Sequence, residues 1–219
     1  PILYVLNKID LADEGRVKEL LPRFKSENSD YIIFNSTLSG KSNILVDKIK
    51  GLCAQKIEKY KLKGIKPSIR TMIVGVPNCG KSTLVNNLCK KAKAVTGNKA
   101  GVTKHGLWLP IGDCIEVYDT PGTLYPNISD QEVAKKLAYV GSVRDEILDF
   151  GELAYELIKL LNKLYPTAVE NRYNGAKTLE DIALVRKYVL PGGEVDYDRT
   201  AKMIVDDFRK GRLGKITLD

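Results

Sequence analysis

The sequence of 219 residues is long enough for one complete α/β domain and a smaller appended unit. Hydrophobic residues make up 43% of the chain and charged residues 28%, and no apolar run approaches the ~20 residues that a membrane-spanning helix needs, so we expect a soluble protein without a membrane span. The net charge of +8 is uneven: residues 1–141 carry 22 Lys and Arg against 13 Asp and Glu, whereas residues 142–219 carry 13 against 14. A basic first part suits a phosphate-rich partner such as a nucleic acid.

The four cysteines form no CxxC pair and have no histidine at metal-ligand spacing. Neither a disulfide framework nor a zinc site is indicated, and a reducing compartment fits this pattern. We therefore expect the protein in the cytoplasm, with an organelle as the alternative.

Short apolar strands alternate with helical patterns along the first part of the chain, which indicates an α/β fold with a mainly parallel sheet. The predicted strands are Ile2–Leu6, Tyr31–Phe34, Ile69–Val74, Gly106–Leu109 and Cys114–Tyr118, and the predicted helices are Asp13–Lys25, Asn43–Lys61 and Lys81–Lys90. From Asp130 onward the pattern is helical, with segments near Glu146–Leu164, Leu179–Tyr188 and Tyr197–Lys210. We therefore expect an α/β domain over residues 1–141 and a small all-α domain over residues 142–219, with the boundary near Gly141–Ser142.

The first motif along the chain is the NKID tetrapeptide of residues 7–10, which follows a predicted strand. The Asp10 carboxylate can accept hydrogen bonds from guanine N1–H and N2, the Asn7 amide can meet the purine edge, and the aliphatic part of Lys8 can cover the ring. Adenine would leave the Asp10 charge unpaired. The next strand ends in an NST turn, where a backbone N–H of Ser36 or Thr37 would meet guanine O6. Together the two turns predict guanine recognition.

Residues 75–82, GVPNCGKS, match the pattern GxxxxGK[ST] directly after a strand and at the start of a helix. In such a loop, backbone N–H groups surround the phosphates, the lysine reaches the β- and γ-phosphates, and the serine hydroxyl binds Mg²⁺. The residues predicted to bind nucleotide here are Asn78, Cys79, Gly80, Lys81, Ser82 and Thr83. The strand, loop and helix context makes this the strongest motif of the chain.

A DTPG motif at residues 119–122 follows the last predicted strand. We expect Asp119 to hold Mg²⁺ and the N–H of Gly122 to sense the γ-phosphate. Thr103 lies in the loop between the two phosphate motifs and is predicted to be the switch threonine that closes on Mg²⁺. The predicted catalytic residues are thus Lys81 and Thr103, and the predicted Mg²⁺ ligands are Ser82, Thr103 and Asp119.

The order of the motifs is unusual, because an ordinary GTPase has its P-loop before the switches and the guanine-reading turns. Here the NKID and NST turns precede the P-loop and DTPG, which predicts a circularly permuted GTPase fold that binds GTP or GDP with Mg²⁺. The strand that a GTPase sheet has between DTPG and NKxD is expected to precede Pro1.

These motifs resemble those of the YlqF/RbgA family of circularly permuted GTPases. The likeness extends over almost the whole chain and includes the GVTK segment at residues 101–104 and the C-terminal segments 191–196 and 207–217. The resemblance implies a GTP-hydrolysing factor that assists assembly of the large ribosomal subunit. It also implies nucleotide-dependent binding to the precursor subunit and its rRNA, with the helical domain contributing to RNA contact. We expect a monomer.

Three positions qualify the resemblance. Thr123 follows DTPG, where Ras-like enzymes have the glutamine that orients the attacking water, so the intrinsic hydrolysis should be slow. The family is thought to use a histidine near its N-terminus, whereas the only histidine here is His105, for which a surface or structural role is the more common one. Asn78 resembles an asparagine that binds K⁺ in potassium-stimulated GTPases, or it stabilises the loop.

An alternative function is a regulatory GTP-sensing module that binds a protein and does not act on RNA. The net charge of −1 over residues 142–219 favours this alternative, whereas the basic charge of residues 1–141 favours RNA. A third possibility, an ATPase, is disfavoured by the NKID motif.

Overall fold

The computed structural model describes residues 1–38, 42–89, 107–124 and 128–219. The chain forms two compact units, one of Pro1–Ile9 with Glu14–Leu124 and the other of Asp10–Asp13 with Tyr125–Asp219. The predicted switch residue Thr103 and His105 lie outside the described residues.

The first unit contains strands that pair in two sheets. The strands are β1 Ile2–Leu6, β2 Ser29–Ile33, β3 Ile69–Ile73, β4 Leu107–Ile111 and β5 Ile115–Asp119. Strands β1 and β2 pair in parallel, as do β3 and β5, whereas β4 runs antiparallel to β5. The predicted α/β class and the mainly parallel strand pairing are therefore confirmed.

Two of the predicted helices in the first unit differ from the sequence pattern, whereas the third begins at Lys81 as predicted. The helices of this unit are α1 Glu14–Leu20, α2 Ser42–Leu52, α3 Ala54–Leu62 and α4 Lys81–Cys89. The predicted helix Asn43–Lys61 is interrupted at Cys53, and the predicted helix Asp13–Lys25 ends in a 3₁₀ turn, Leu21–Phe24. Pro22 explains the second difference, because proline has no N–H to continue an α-helical ladder.

The hydrophobic core of the first unit lies between its sheet residues and the helices α2 and α4. Alternation along β5 buries Ile115 and Val117, and the same alternation buries the last residue of the strand, Asp119, which is 1% exposed. On α4, Val85 is fully buried. The core thus fixes the two places where chemistry is expected: the start of α4 and the end of β5.

The second unit is helical, with a buried core that includes Leu157, Leu161 and Val205. Its helices are α5 Gln131–Tyr139, α6 Phe150–Leu164, α7 Ala168–Arg172, α8 Leu179–Arg186 and α9 Tyr197–Arg209. Asp130, Asp149, Thr178 and Asp196 each cap a helix by accepting a backbone N–H. In the described part of the chain, no helix is both long enough and apolar enough to span a bilayer.

The two units divide at Leu124 and Tyr125, upstream of the change predicted near Gly141–Ser142. The reason is α5, whose residues Ala138 and Tyr139 are buried in the helical core. A second difference is the short segment Asp10–Asp13, which groups with the helical unit.

A buried carboxylate stabilises the helical unit. Asp207, whose side chain is 1% exposed, accepts hydrogen bonds from Arg172 at 2.8 Å, Arg212 at 2.7 Å and Tyr173 at 3.2 Å. Burial alone would raise the pKa of the Asp207 carboxyl, but the bonds from Arg172 and Arg212 outweigh burial, and the pKa lies below its usual value.

Candidate functional site

The loop between β3 and α4 has the conformation expected for phosphate binding. Asn78 and Gly80 both have a left-handed backbone, with φ values of 60° and 97°. Lys81, the first residue of α4, is only 8% exposed, and its Nζ donates hydrogen bonds to the carbonyl oxygens of Gly75 and Val76, both at 2.9 Å. The ammonium group is therefore held by the loop itself, at the helix N-terminus where an anion is favoured.

The side chain of Asn7 connects three motifs that are far apart in the sequence. Its Nδ2 donates to Ser36 Oγ and to the carbonyl oxygen of Cys79, both at 2.9 Å, and its Oδ1 accepts the N–H of Ser36 at 2.9 Å. Asn7, the first residue of the NKID motif, is thus brought together with the NST turn and the P-loop in the first unit. The sequence assigned Asn7 to the purine edge, and the structure adds a role in connecting the loops.

Gly80 is required beside this amide. A Cβ added at Gly80 would collide with Asn7 Nδ2 and lie 3.3 Å from Ser36 Oγ, and its φ of 97° also disfavours other residues. The close approach of the P-loop to Asn7 therefore depends on the absence of a side chain at position 80.

The NST turn is closed by its own hydrogen bonds. Asn35 Oδ1 accepts from the N–H of Thr37 at 2.9 Å and from its hydroxyl at 2.6 Å, while the N–H of Ser36 is bonded to Asn7. The carbonyl oxygen of Ser36 also accepts a hydrogen bond from Asn87 on α4. Both N–H groups predicted for guanine O6 thus have internal partners here. Asn87 had no sequence signal, because it belongs to no motif and its contact joins residues 51 positions apart.

A second pair of residues lies at the end of β5. Ser82 Oγ donates to Asp119 Oδ2 at 3.0 Å, and among the described residues the buried Asp119 Oδ1 has no hydrogen-bond partner. Burial raises the pKa of the Asp119 carboxyl, while the hydrogen bond from Ser82 and the charge of Lys81 act in the opposite direction. The Ser82 hydroxyl and the Asp119 carboxylate, whose Oδ1 has no partner among the described residues, together offer oxygen ligands that fit a hard divalent cation such as Mg²⁺.

The DTPG turn packs directly on the P-loop. A Cβ added at Gly122 would lie 2.5 Å from the Cα of Pro77 and 2.7 Å from its N, so only glycine fits. Thr120 Oγ1 donates to the carbonyl oxygen of Ile73 at 2.6 Å, which fixes the turn against the end of β3. The backbone of Gly122 is thereby held beside the loop that precedes Lys81.

The other predicted residues that the structure describes lie in the turn after β1, in the first turn of α4 and directly after the DTPG motif. Lys8 has a left-handed backbone with a φ of 57°, and Asp10 is exposed in a 3₁₀ turn, Ile9–Leu11. Thr83 is half-buried in the first turn of α4, and Thr123 is exposed. The structure does not describe Thr103, so the third predicted Mg²⁺ ligand stays a prediction.

A phosphate-binding loop after a strand, followed by the Ser82–Asp119 pair, defines a P-loop nucleotide-binding protein. A family model described as "50S ribosome-binding GTPase" matches residues 70–172. The Ribosome biogenesis GTPase A of Bacillus cereus is 37% identical and aligns over 100% of this chain and 77% of its own length. The Mitochondrial ribosome-associated GTPase 1 of Bos taurus is 30% identical, over 100% and 74%. A GDP-bound structure of TM YlqF superposes with a TM-score of 0.69 at 25% identity, over 99% of this chain and 82% of that one.

The chain belongs to the Ribosome biogenesis GTPase A family, the YlqF/RbgA family, and it is a GTPase with circularly permuted motifs. The predicted family, fold class and enzymatic activity are confirmed.

Proposed function

We propose that this chain is a GTP-hydrolysing switch that assists assembly of the large ribosomal subunit and binds the precursor subunit and its rRNA in its GTP-bound state. The observation that carries the nucleotide part is the Asn7 side chain, which joins both guanine-reading turns to the P-loop. The ribosomal part is supported by the relatives, which are named as ribosome biogenesis and ribosome-associated GTPases, and by the excess of basic residues in 1–141. A cytoplasmic monomer is part of the proposal.

The phosphates would be bound by the loop between β3 and α4. Backbone N–H groups of Cys79 and Gly80 and the ammonium of Lys81 would hold them, because an oriented loop at a helix N-terminus attracts anions. Ser82 and Asp119 would hold Mg²⁺, with Thr103 as a further ligand. The ion, when bound, neutralises charge on the β- and γ-phosphates. The N–H of Gly122, held against Pro77, would report whether the γ-phosphate is present.

Guanine recognition would rest on Asp10, with its exposed carboxylate directed to N1–H and the 2-amino group of the base. The backbone of Ser36 or Thr37 would serve O6 after exchanging one of its internal hydrogen bonds. Lys8, whose left-handed backbone precedes this turn, would cover the ring with its aliphatic stem.

Hydrolysis is proposed to be slow without an activator, since Thr123 stands where a glutamine would orient the attacking water. Asn78 is proposed to hold K⁺, which would place positive charge beside the departing γ-phosphate. Single-turnover hydrolysis in K⁺ and in Na⁺ at equal ionic strength tests this role. We expect faster hydrolysis in K⁺, and in the Asn78→Ala variant we expect equal rates with nucleotide binding retained. Equal rates of hydrolysis in K⁺ and in Na⁺ for the unmodified chain would show that K⁺ has no role in the reaction.

The ribosomal part is tested by co-sedimentation of the chain with large subunits in the presence of GDP or of a non-hydrolysable GTP analogue. We expect binding with the analogue and release with GDP. Repeating the binding at rising salt separates RNA from protein recognition, because RNA binding weakens steeply as phosphate contacts release counterions. An affinity that does not change with salt concentration would favour the alternative of a GTP-sensing protein-binding module.

A further inference from the structure

The three residues after Asp10 are held by the helical unit to which they belong. The carbonyl oxygen of Leu11 accepts the N–H of Ile216 at 2.9 Å, and the N–H of Asp13 donates to Thr217 Oγ1 at 3.1 Å. Asp13 and Thr217 are 204 positions apart in the sequence. The end of the chain therefore fixes the backbone that directly follows the guanine-reading motif.

The hydroxyl of Tyr165 is the centre of this arrangement. It accepts the N–H of Thr217 at 3.1 Å and lies within donating distance of Asp13 Oδ2, at 3.3 Å, and of the carbonyl oxygen of Thr217, at 3.2 Å. Tyr165 is the C-terminal cap of α6, and its N–H is bonded to the carbonyl oxygen of the fully buried Leu161 at 2.7 Å. The hydroxyl thus belongs to the residue that ends α6, a helix whose Leu157 and Leu161 are fully buried.

Leu11 is also confined by a close glycine turn after α9. Gly211 has a φ of 69°, and a Cβ added there would lie 2.7 Å from Leu11 Cδ2. Backbone hydrogen bonds and side-chain packing therefore act on the same short segment.

Asp10 itself has little local support. It is exposed and lies in a 3₁₀ turn of three residues, Ile9–Leu11, and a single turn of this kind is only marginally stable alone. A carboxylate that distinguishes bases by hydrogen bonding must be held to within about 0.5 Å of its productive position. The position of Asp10 therefore depends on what holds the residues beside it.

We propose that Tyr165 and Thr217 are positioning residues for guanine recognition, because they fix Leu11–Asp13 and so direct the carboxylate of Asp10. The proposal rests on the proposed base-reading role of Asp10. Tyr165 and Thr217 belong to the same unit as Asp10, so the contacts that carry the proposal all lie within that unit.

The test compares GDP with inosine diphosphate, whose base lacks the 2-amino group that Asp10 would read. In Tyr165→Phe and in Thr217→Val we expect GDP affinity to fall about fivefold while the affinity for inosine diphosphate changes much less. Thr217→Ser, which keeps the hydroxyl, should have the same ratio of GDP affinity to inosine diphosphate affinity as the unmodified chain. The matched controls are Tyr155→Phe, at a 60% exposed position of α6, and Thr167→Val, at an exposed position; neither should alter the ratio.

Asp10→Ala separates the two levels of the proposal. If Tyr165→Phe acts through Asp10, adding it to Asp10→Ala produces no further loss of discrimination. An unchanged ratio in Asp10→Ala would show that Asp10 does not read the 2-amino group of guanine, which would end its proposed role in distinguishing the base and this inference together. A ratio that falls in Asp10→Ala but not in the Tyr165 and Thr217 variants would overturn the positioning role alone. Equal losses for both nucleotides would mean that the two side chains do not act through the contact to the 2-amino group, which would overturn the positioning role proposed here.

Discussion

Asn7 Nδ2 donates a hydrogen bond to the carbonyl oxygen of Cys79 at 2.9 Å, although 72 positions separate these residues in the chain. The same amide bonds to Ser36 on both its oxygen and nitrogen sides. The permuted order of motifs therefore leaves the spatial relation of guanine-reading turn and P-loop intact, because one side chain connects them.

Replacing Asn7 by alanine should weaken GDP binding by about 2 kcal/mol, roughly thirtyfold, because the N–H of Ser36 loses its partner and the P-loop loses its connection to the two turns. The nucleotide-free protein should also unfold at a lower temperature. Titration with a fluorescent GDP analogue and thermal unfolding measure the two effects. Asn43→Ala, at an exposed position of α2, is the control and should change neither quantity. Unchanged GDP affinity in the Asn7 variant would refute the connecting role.

The sequence predicted the elements that local patterns determine. Strand β1 was predicted with its observed bounds, and helix α4 begins at Lys81 as the P-loop pattern requires. Both depend on alternation or on a glycine-rich loop within a few residues, so neighbouring positions carry the information. The motifs also place Ser82 at the start of a helix and Asp119 at the end of a strand, although the hydrogen bond between them, across 37 positions, was not predicted.

Long-range relations were not predictable in this way. The bonds of Asn7 to Cys79, of Asn87 to Ser36 and of Asp13 to Thr217 are set by tertiary packing, which no local period records. The interruption at Cys53 was also missed, because the apolar pattern continues across it from α2 into α3.

Ser82→Ala should reduce the Mg²⁺ dependence of nucleotide binding. The variant loses a proposed Mg²⁺ ligand and the hydrogen bond to Asp119, so we expect GTP affinity in Mg²⁺ to fall at least about tenfold. In the presence of a chelator, the variant and the unmodified chain should bind alike. Isothermal titration with and without Mg²⁺ measures this, and Ser68→Ala, at an exposed position before β3, is the matched control. An equal loss under both conditions would contradict a metal-ligand role.

Asp10→Asn should change the base preference of the protein from guanine to xanthine. Xanthine has a hydrogen-bond acceptor where guanine has its amino group, and an asparagine amide can donate to it. We expect GDP affinity to fall by at least about a hundredfold and xanthosine diphosphate to bind more tightly than GDP. Competition binding with both nucleotides and ADP gives the order. Asp47→Asn, at an exposed position of α2, should leave the preference for GDP unchanged. The assignment is wrong if the unmodified chain binds ADP as tightly as GDP.

Asp207→Asn should destabilise the helical unit at neutral pH by about 3 kcal/mol, because Arg172 loses a charged partner at a buried position. The native pKa of Asp207 is lowered, so its stabilising contribution is complete above the usual carboxyl pKa and is lost as the pH falls through the native value. The stability difference between the unmodified chain and the variant should therefore shrink from about pH 5 downward. Urea unfolding at several pH values measures it.

The adjacent Asp206 is the control for this measurement. Its side chain is 47% exposed and pairs with Lys210, so Asp206→Asn should change stability by less than about 1 kcal/mol. A stability difference for Asp207→Asn that stays constant from neutral to acid pH would show that the carboxylate charge contributes nothing.

The most direct test of the account is single-turnover GTP hydrolysis by the chain, measured alone, with large ribosomal subunits and with small ribosomal subunits. We expect a rate on the order of 10⁻³ s⁻¹ or less for the chain alone and at least about a tenfold increase with large subunits only. Lys81→Ala, which removes the ammonium held over the P-loop, should show no stimulation. A rate that large subunits leave unchanged, or that small subunits raise equally, would contradict a role in assembly of the large subunit.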